Sequence, residues 1–231
     1  MTLRIPPSRQ LAVAALAAAL ALGAGCGDSS SDGAASTSHD RAATMRESST
    51  PAKTTATSPK TEFAGGVVTP PFPARPLELR NYDGRRVNLA DYKGKAAVLV
   101  TFIYTNCPDI CPLIVGNLRT AQAMLGRRAR KLRIVAVSAD PRGDDPRSVA
   151  AFLRQHEMTG RMDYLIGSRR QLGRVWKEWG IVAKPDKAHP DLVEHSAQIY
   201  GIGASGKVLT LYPANFKPAD IAHDAPRLAA S

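Results

Sequence analysis

Cys107 and Cys111 place two soft sulfur donors four positions apart in the run Thr101-Phe-Ile-Tyr-Thr-Asn-Cys-Pro-Asp-Ile-Cys-Pro112. Thiols at this spacing support two kinds of chemistry: reversible dithiol exchange, or capture of a thiophilic metal. A four-residue step within one turn brings two α-carbons inside the ~4.4–6.8 Å that a disulfide requires, and the same arrangement can clamp one ion. A static structural bridge is the plainer possibility. It is the weakest, because closing so short a loop removes little entropy from the unfolded chain.

The elements around the pair must hold it in place. Residues 96–103 are almost continuously apolar and β-branched, which predicts a buried strand running straight into the cysteines. Pro112 lacks an N–H and disfavours the α region for the residue before it. A helix is therefore predicted to open at Pro112, with Cys111 near its N-cap and Cys107 in the preceding loop. Helix N-termini favour anions, so both thiols are expected to be readily ionised.

A third donor would decide between redox and metal chemistry. Structural zinc wants four ligands, whereas cuprous ion is satisfied by thiolates plus an imidazole. His195, in Asp191-Leu-Val-Glu-His-Ser196, stands at the entry to the penultimate predicted strand, and His189 lies on a Pro-flanked loop. Spacing alone does not choose between them. His156 and His223 fall on predicted helices, and His39 lies in a polar N-terminal stretch.

The third cysteine, Cys26, has another explanation. Residues 1–25 read as an export signal: Arg4 and Arg9 precede an Ala/Leu/Val run at 11–22, too short to span a bilayer. Leu22-Gly-Ala-Gly-Cys26 resembles a bacterial lipoprotein processing site, although Gly23 stands where Leu is usual. Lipidation of Cys26 would leave Cys107 and Cys111 as an isolated pair in an oxidising compartment. Residues 26–66 are rich in Ser, Thr, Ala, Gly and Pro and read as a flexible tether from the membrane. The net charge is +11, and five of the seven residues at 127–133 are basic. Export and the lack of interleaved aromatics argue against nucleic acid, and favour a solvated helix end facing anionic lipid or an acidic partner.

From Val67 onward the chain is long enough for one domain. Residues 77–81 and 86–89 predict a hairpin through Asp83-Gly84, and 132–138 a second buried strand. Asp144-Asp145-Pro146 signals a helix start, and 164–166 a short strand. Leu172, Val175, Trp176 and Trp179 form a helical core stripe. Residues 197–202 and 207–212 predict a second hairpin, and Lys217-Pro-Ala-Asp opens a final helix. This order predicts an α/β sandwich around a mixed sheet, with the thiols at the carboxyl end of a central strand.

Tyr104-Thr-Asn-Cys-Pro-Asp-Ile-Cys-Pro-Leu113 resembles the C-P-x-x-C-P signature of the Sco/SenC family of thioredoxin-like copper proteins. Val137-Ser-Ala-Asp-Pro141 is similar to that family's strand-end Asp-Pro, and Val193-Glu-His-Ser196 to its Val-Asp-His-Ser, with Glu194 replacing the aspartate. The likeness runs from about Phe72 to the C-terminus. It implies a thioredoxin-like fold with copper bound by Cys107, Cys111 and His195. It also implies delivery of copper to the CuA site of cytochrome c oxidase, outside the cytoplasmic membrane of a bacterium. Asp140 is expected either to support the site or to brace its loop. A thiol-disulfide oxidoreductase acting on a copper protein's cysteines is the second expectation, although such enzymes usually carry two residues between their cysteines. A thiol peroxidase using Cys107 is the third.

Overall fold

The computed structural model describes residues 63–185, 189 and 192–231, all within the compact unit Thr55–Ser231. The export signal, Cys26, His39 and nearly all of the expected tether lie outside the described residues.

Among the described residues, ten strands and four α-helices follow in chain order: β1 (Gly66–Pro73), β2 (Glu78–Asn81), β3 (Arg86–Asn88), β4 (Ala97–Ile103), α1 (Ile110–Leu125), β5 (Leu132–Ser138), α2 (Pro146–Gln155), β6 (Asp163–Ile166), α3 (Arg169–Trp179), β7 (Ala183–Pro185), β8 (Val193–His195), β9 (Ile199–Ile202), β10 (Lys207–Tyr212) and α4 (Pro218–Ala230). The main sheet has eight strands in the order β1-β10-β9-β4-β5-β6-β2-β3, and β7 pairs with β8 in a separate ribbon. Only β4-β5 and β5-β6 pair in parallel; every other pair is antiparallel.

β4 is buried along its whole length because both sheet faces are covered. Ala97, Leu99 and Ile103 enter one core with α1, α2 and α4, while Val98, Val100 and Phe102 enter the other with α3. The period-two alternation thus divides one apolar run between two cores. Placing α1 and α2 on one face makes both parallel crossovers run the same way round. Burying a Leu such as Leu118 of α1, fully enclosed, contributes about 1.5–3 kcal/mol.

Helix starts are set by specific caps. The Asp145 carboxylate accepts from the Ser148 amide (2.7 Å) to open α2, and Ser168 and Gln171 form a reciprocal capping box at α3. Gly180 ends α3 in the left-handed conformation with φ 65°.

The structure departs from the sequence-based expectation in three places. Helix α1 begins at Ile110, not at Pro112, and Cys111 therefore lies inside its first turn. Pro112 is tolerated there because the first helical N–H groups have no intrahelical partner to lose. The folded part also reaches back past Val67. Phe63 packs on the core, and the buried Asp224 carboxylate accepts from the Ala64 and Gly65 amides at 2.8 and 2.9 Å. β1 follows as an edge strand, which accommodates its three prolines and an irregular register between Val67 and Phe72. Finally, His195 ends its own ribbon strand, with Ala183 opposite His195. Among the described residues no helix is long and apolar enough to cross a membrane.

Candidate metal centre

The carboxyl ends of the parallel strands carry the site. The Ala139 amide donates to the Ile103 carbonyl (2.8 Å), locking the ends of β5 and β4 together. From Ile103 the chain turns through Tyr104 to Cys107, whose amide donates to the Tyr104 carbonyl at 3.4 Å. The Cys111 amide, in the first turn of α1, then donates to Cys107 Sγ at 3.4 Å. Cys107 is 8% exposed and Cys111 fully buried. Any ligand or partner thus meets Cys107 first. Both cysteines are unbridged.

His195 reaches the pair from the ribbon. In the neutral ring, Nδ1–H donates to the Ser196 carbonyl (3.1 Å), because a carbonyl only accepts. The Nε2 lone pair then faces Cys111 Sγ at 3.7 Å. Tyr104 holds this arrangement from just past the end of β4. Its ring lies edge-on to the imidazole, with centroids 5.5 Å apart at 85°, and its hydroxyl accepts from the Val193 amide at 3.3 Å. The Ser196 amide adds a tie to the Val182 carbonyl at 3.2 Å.

The imidazole placed against the cysteines is thus that of His195. His189 is exposed on the loop before β8. His156 stacks on Phe152, 4.5 Å between centroids, and the His223 Nδ1 pairs with Asp224 at 2.7 Å.

Asp140 braces its own loop: Oδ1 accepts from the Arg142 amide at 3.0 Å, and its carbonyl accepts from the Asp144 amide at 3.0 Å. The group that supports the cysteine loop is Asp144. Its Oδ1 accepts from the Thr105 amide (2.9 Å) and hydroxyl (2.8 Å), two residues before Cys107. Its Oδ2 accepts from the Ser138 hydroxyl at 2.6 Å and the Tyr164 hydroxyl at 2.9 Å. The sequence held one signal for this: two adjacent acids precede Pro146, and an N-cap uses only one of them.

The electrostatics separate the two thiols. Cys107 is pulled down to about 4, chiefly by the hydrogen bond from the Cys111 thiol, against burial and with help from the Asp109 and Cys111 amides. Cys111 is pushed up by donating that same bond and by burial. The shifts run in opposite directions, which makes Cys107 the thiol that ionises first. Burial also raises the Asp144 carboxyl, against its four hydrogen bonds.

The donor set suits a soft monovalent ion. With zinc's bond lengths as the scale, about 2.3 Å to thiolate and about 2.0 Å to imidazole, a trigonal angle sets the two donor atoms about 3.7 Å apart. Cys111 Sγ and His195 Nε2 already stand at 3.7 Å. Among the described residues no three His, Cys, Asp or Glu side chains are already grouped so as to hold a metal ion. The third candidate donor, Cys107 Sγ, accepts from the Cys111 amide at 3.4 Å, so the three donors do not form a closed set in this structure.

Known proteins share this architecture. A curated SCO1 protein homolog of Bacillus subtilis is 32% identical over 145 residues, covering 61% of this chain and 74% of its own length. This chain spans about half the length of the mouse and human SCO1 homologs that it also matches, 54% and 51%. Copper-bound ScoI of Bradyrhizobium japonicum superposes with a TM-score of 0.60 at 26% identity, over 68% of this chain and 99% of that one. A SCO1/SenC family lipoprotein of Bacillus anthracis gives 0.61 at 27%, over 70% and 99%. BsSco, a member of the Sco family of cytochrome c oxidase assembly proteins in which a disulfide switch was identified, gives 0.58 at 28%, over 69% and 95%. The family model described as SCO1/SenC matches residues 70–230, spanning both cysteines, Asp144 and His195, and the chain belongs to that family.

Proposed function

We propose that this protein is a copper metallochaperone that takes Cu(I) on Cys107, Cys111 and His195. It passes the ion to a copper enzyme, with the CuA subunit of cytochrome c oxidase the favoured recipient. Cys26, once lipidated, tethers it to the extracytoplasmic face of a bacterial membrane. The observation that carries the reading is the Cys111–His195 pair already at ligand spacing, with the more accessible Cys107 sulfur beside it. Copper-bound ScoI and the lipoprotein relative support the ligand and the anchor in turn. The open donor set favours cargo over a permanent cofactor, since a chaperone must release what it binds. Reduced protein is expected to take one Cu(I) per chain in competition with a chromophoric chelator. His195→Ala is expected to weaken binding at least about tenfold, since even outer partners of ligands matter by about 10–100-fold. Equal affinity in His195→Ala overturns the three-donor reading.

The same geometry favours a second reading, thiol-disulfide exchange with a partner's cysteines. The Cys107 thiolate would attack a partner disulfide, releasing one partner thiolate and forming a mixed disulfide. Cys111, losing its proton, would then attack the Cys107 sulfur and release the second. Two electrons pass to the partner and this chain keeps the disulfide. A mixed disulfide accumulating in Cys111→Ser supports this reading, and its absence with reducible copper-site partners removes it.

A further inference from the structure

We propose that the end of the domain opposite the cysteines is a docking surface for anionic phospholipid headgroups, which holds the copper site facing away from the bilayer. The two ends are separated by the length of the central strands. β5 enters at Leu132 beside the start of β4 and leaves at Ser138 beside its end; seven residues at about 3.3 Å each span about 20 Å.

The charge is divided along this axis. Arg127, Arg128, Arg130, Lys131 and Arg133 cluster where α1 turns into β5, and Arg161 stands beside them ahead of β6; all six are exposed. None of the six enters an ion pair among the described residues. Arg130, Arg133 and Arg161 converge on one hollow of about 400 Å³. Lys93 and Lys95, just ahead of β4, and Lys207, at the β9–β10 turn, extend the same end. Of the carboxylates there, Asp91 lies exposed two residues before Lys93, and three others are already engaged. Asp163 pairs with Arg85 and accepts from Tyr92, Glu157 pairs with Arg119, and Asp83 accepts from the Arg85 amide. The cysteine end mixes signs instead, with Asp109, Asp140, Asp145 and Glu194 among Arg142, Arg147, Arg169, Arg170 and Lys184.

Lipid is favoured over an acidic protein by what accompanies the cations. Met124, in the last turn of α1 beside the cluster, is 53% exposed. An apolar side chain set among arginines suits the headgroup boundary, where stems and thioether are covered while charges meet phosphate. The choice also rests on the proposed lipidation of Cys26, which would keep the domain within reach of a bilayer.

Hydrogen exchange of the full chain on vesicles tests this. On phosphatidylcholine vesicles containing phosphatidylglycerol at low salt, exchange of the 124–133 amides is expected to slow while that of 104–112 is unchanged. Neither neutral vesicles nor 1 M salt should give the effect, because screening shortens to about 3 Å. Arg127→Gln/Arg130→Gln/Arg133→Gln is expected to lose it, since each charge contributes about fivefold and three contribute about a hundredfold. Arg169→Gln/Arg170→Gln/Arg174→Gln on α3 removes equal charge elsewhere and should keep it. Copper affinity in solution should be the same in both variants, which separates this proposal from the function above. Equal slowing on neutral vesicles, equal loss in the α3 variant, or slowing by polyglutamate but by no vesicle would each overturn it.

Discussion

Asp144→Ala is expected to destabilise the domain by about 3–5 kcal/mol and to weaken copper binding, although Asp144 is not one of the proposed ligands. Its carboxylate accepts four hydrogen bonds, from the Thr105 amide and hydroxyl and from the Ser138 and Tyr164 hydroxyls. Tyr164 keeps an alternative acceptor in the Ile103 carbonyl at 3.3 Å, and the Thr105 hydroxyl is partly exposed and can turn to water. The Thr105 amide and the fully buried Ser138 hydroxyl are left to bear most of the loss, at about 1–3 kcal/mol for each stranded donor. A small cavity adds to this. The figure is a large share of the about 5–15 kcal/mol that such a domain has. Urea denaturation of the reduced, metal-free protein reads the stability, and chelator competition reads the copper. Asp144→Asn keeps the shape and one acceptor, and the two hydroxyls can rotate to accept from its amide, so about 1 kcal/mol is expected. A change below about 0.5 kcal/mol in Asp144→Ala would refute the bracing role, since surface substitutions commonly stay within that range.

Two further outcomes follow from the site. Cys107, drawn down to about 4, is expected to react with iodoacetamide at a rate nearly flat from about pH 6 to 8, whereas an ordinary thiol gains about tenfold per unit there. Its depressed value also fixes the sign of the linkage: the stabilisation is full above the ordinary thiol value and is lost as pH falls through about 4. Cys111→Ala removes the main cause of the depression, so the rate at pH 6 should fall; an unchanged rate contradicts the Cys111 hydrogen bond as that cause. Tyr104→Phe strands the buried Val193 amide, at about 1–3 kcal/mol. It should also loosen His195, with weaker copper binding while the cysteines alkylate as before. Unchanged copper affinity would show that the Tyr104 hydroxyl does not position the ribbon.

Much of this fold was legible because periodicity reports burial directly. The runs at β4 and β5, the Trp176/Trp179 stripe of α3 and the two hairpins are local patterns with one strong interpretation each. β1 was hidden by its prolines, which read as non-strand until an edge position accommodates them. The ribbon β7–β8 has strands too short for a periodic signal, and its pairing depends on ties from Tyr104 and Val182. For the same reason spacing could not separate His195 from His189, and only the family resemblance favoured His195. Asp144 was concealed by a sound local explanation, the α2 cap, which its neighbour Asp145 in fact supplies. The placement of α1 two residues early shows that a proline marks the first turn, not its first residue.

Copper K-edge X-ray absorption of the reduced, Cu(I)-loaded protein and of its His195→Ala variant tests the three-donor site most directly. Two sulfur neighbours and one imidazole nitrogen are expected at copper in the native chain, with the imidazole scattering lost in the variant. A sulfur-only shell in the native chain, or an identical spectrum in His195→Ala, would contradict it.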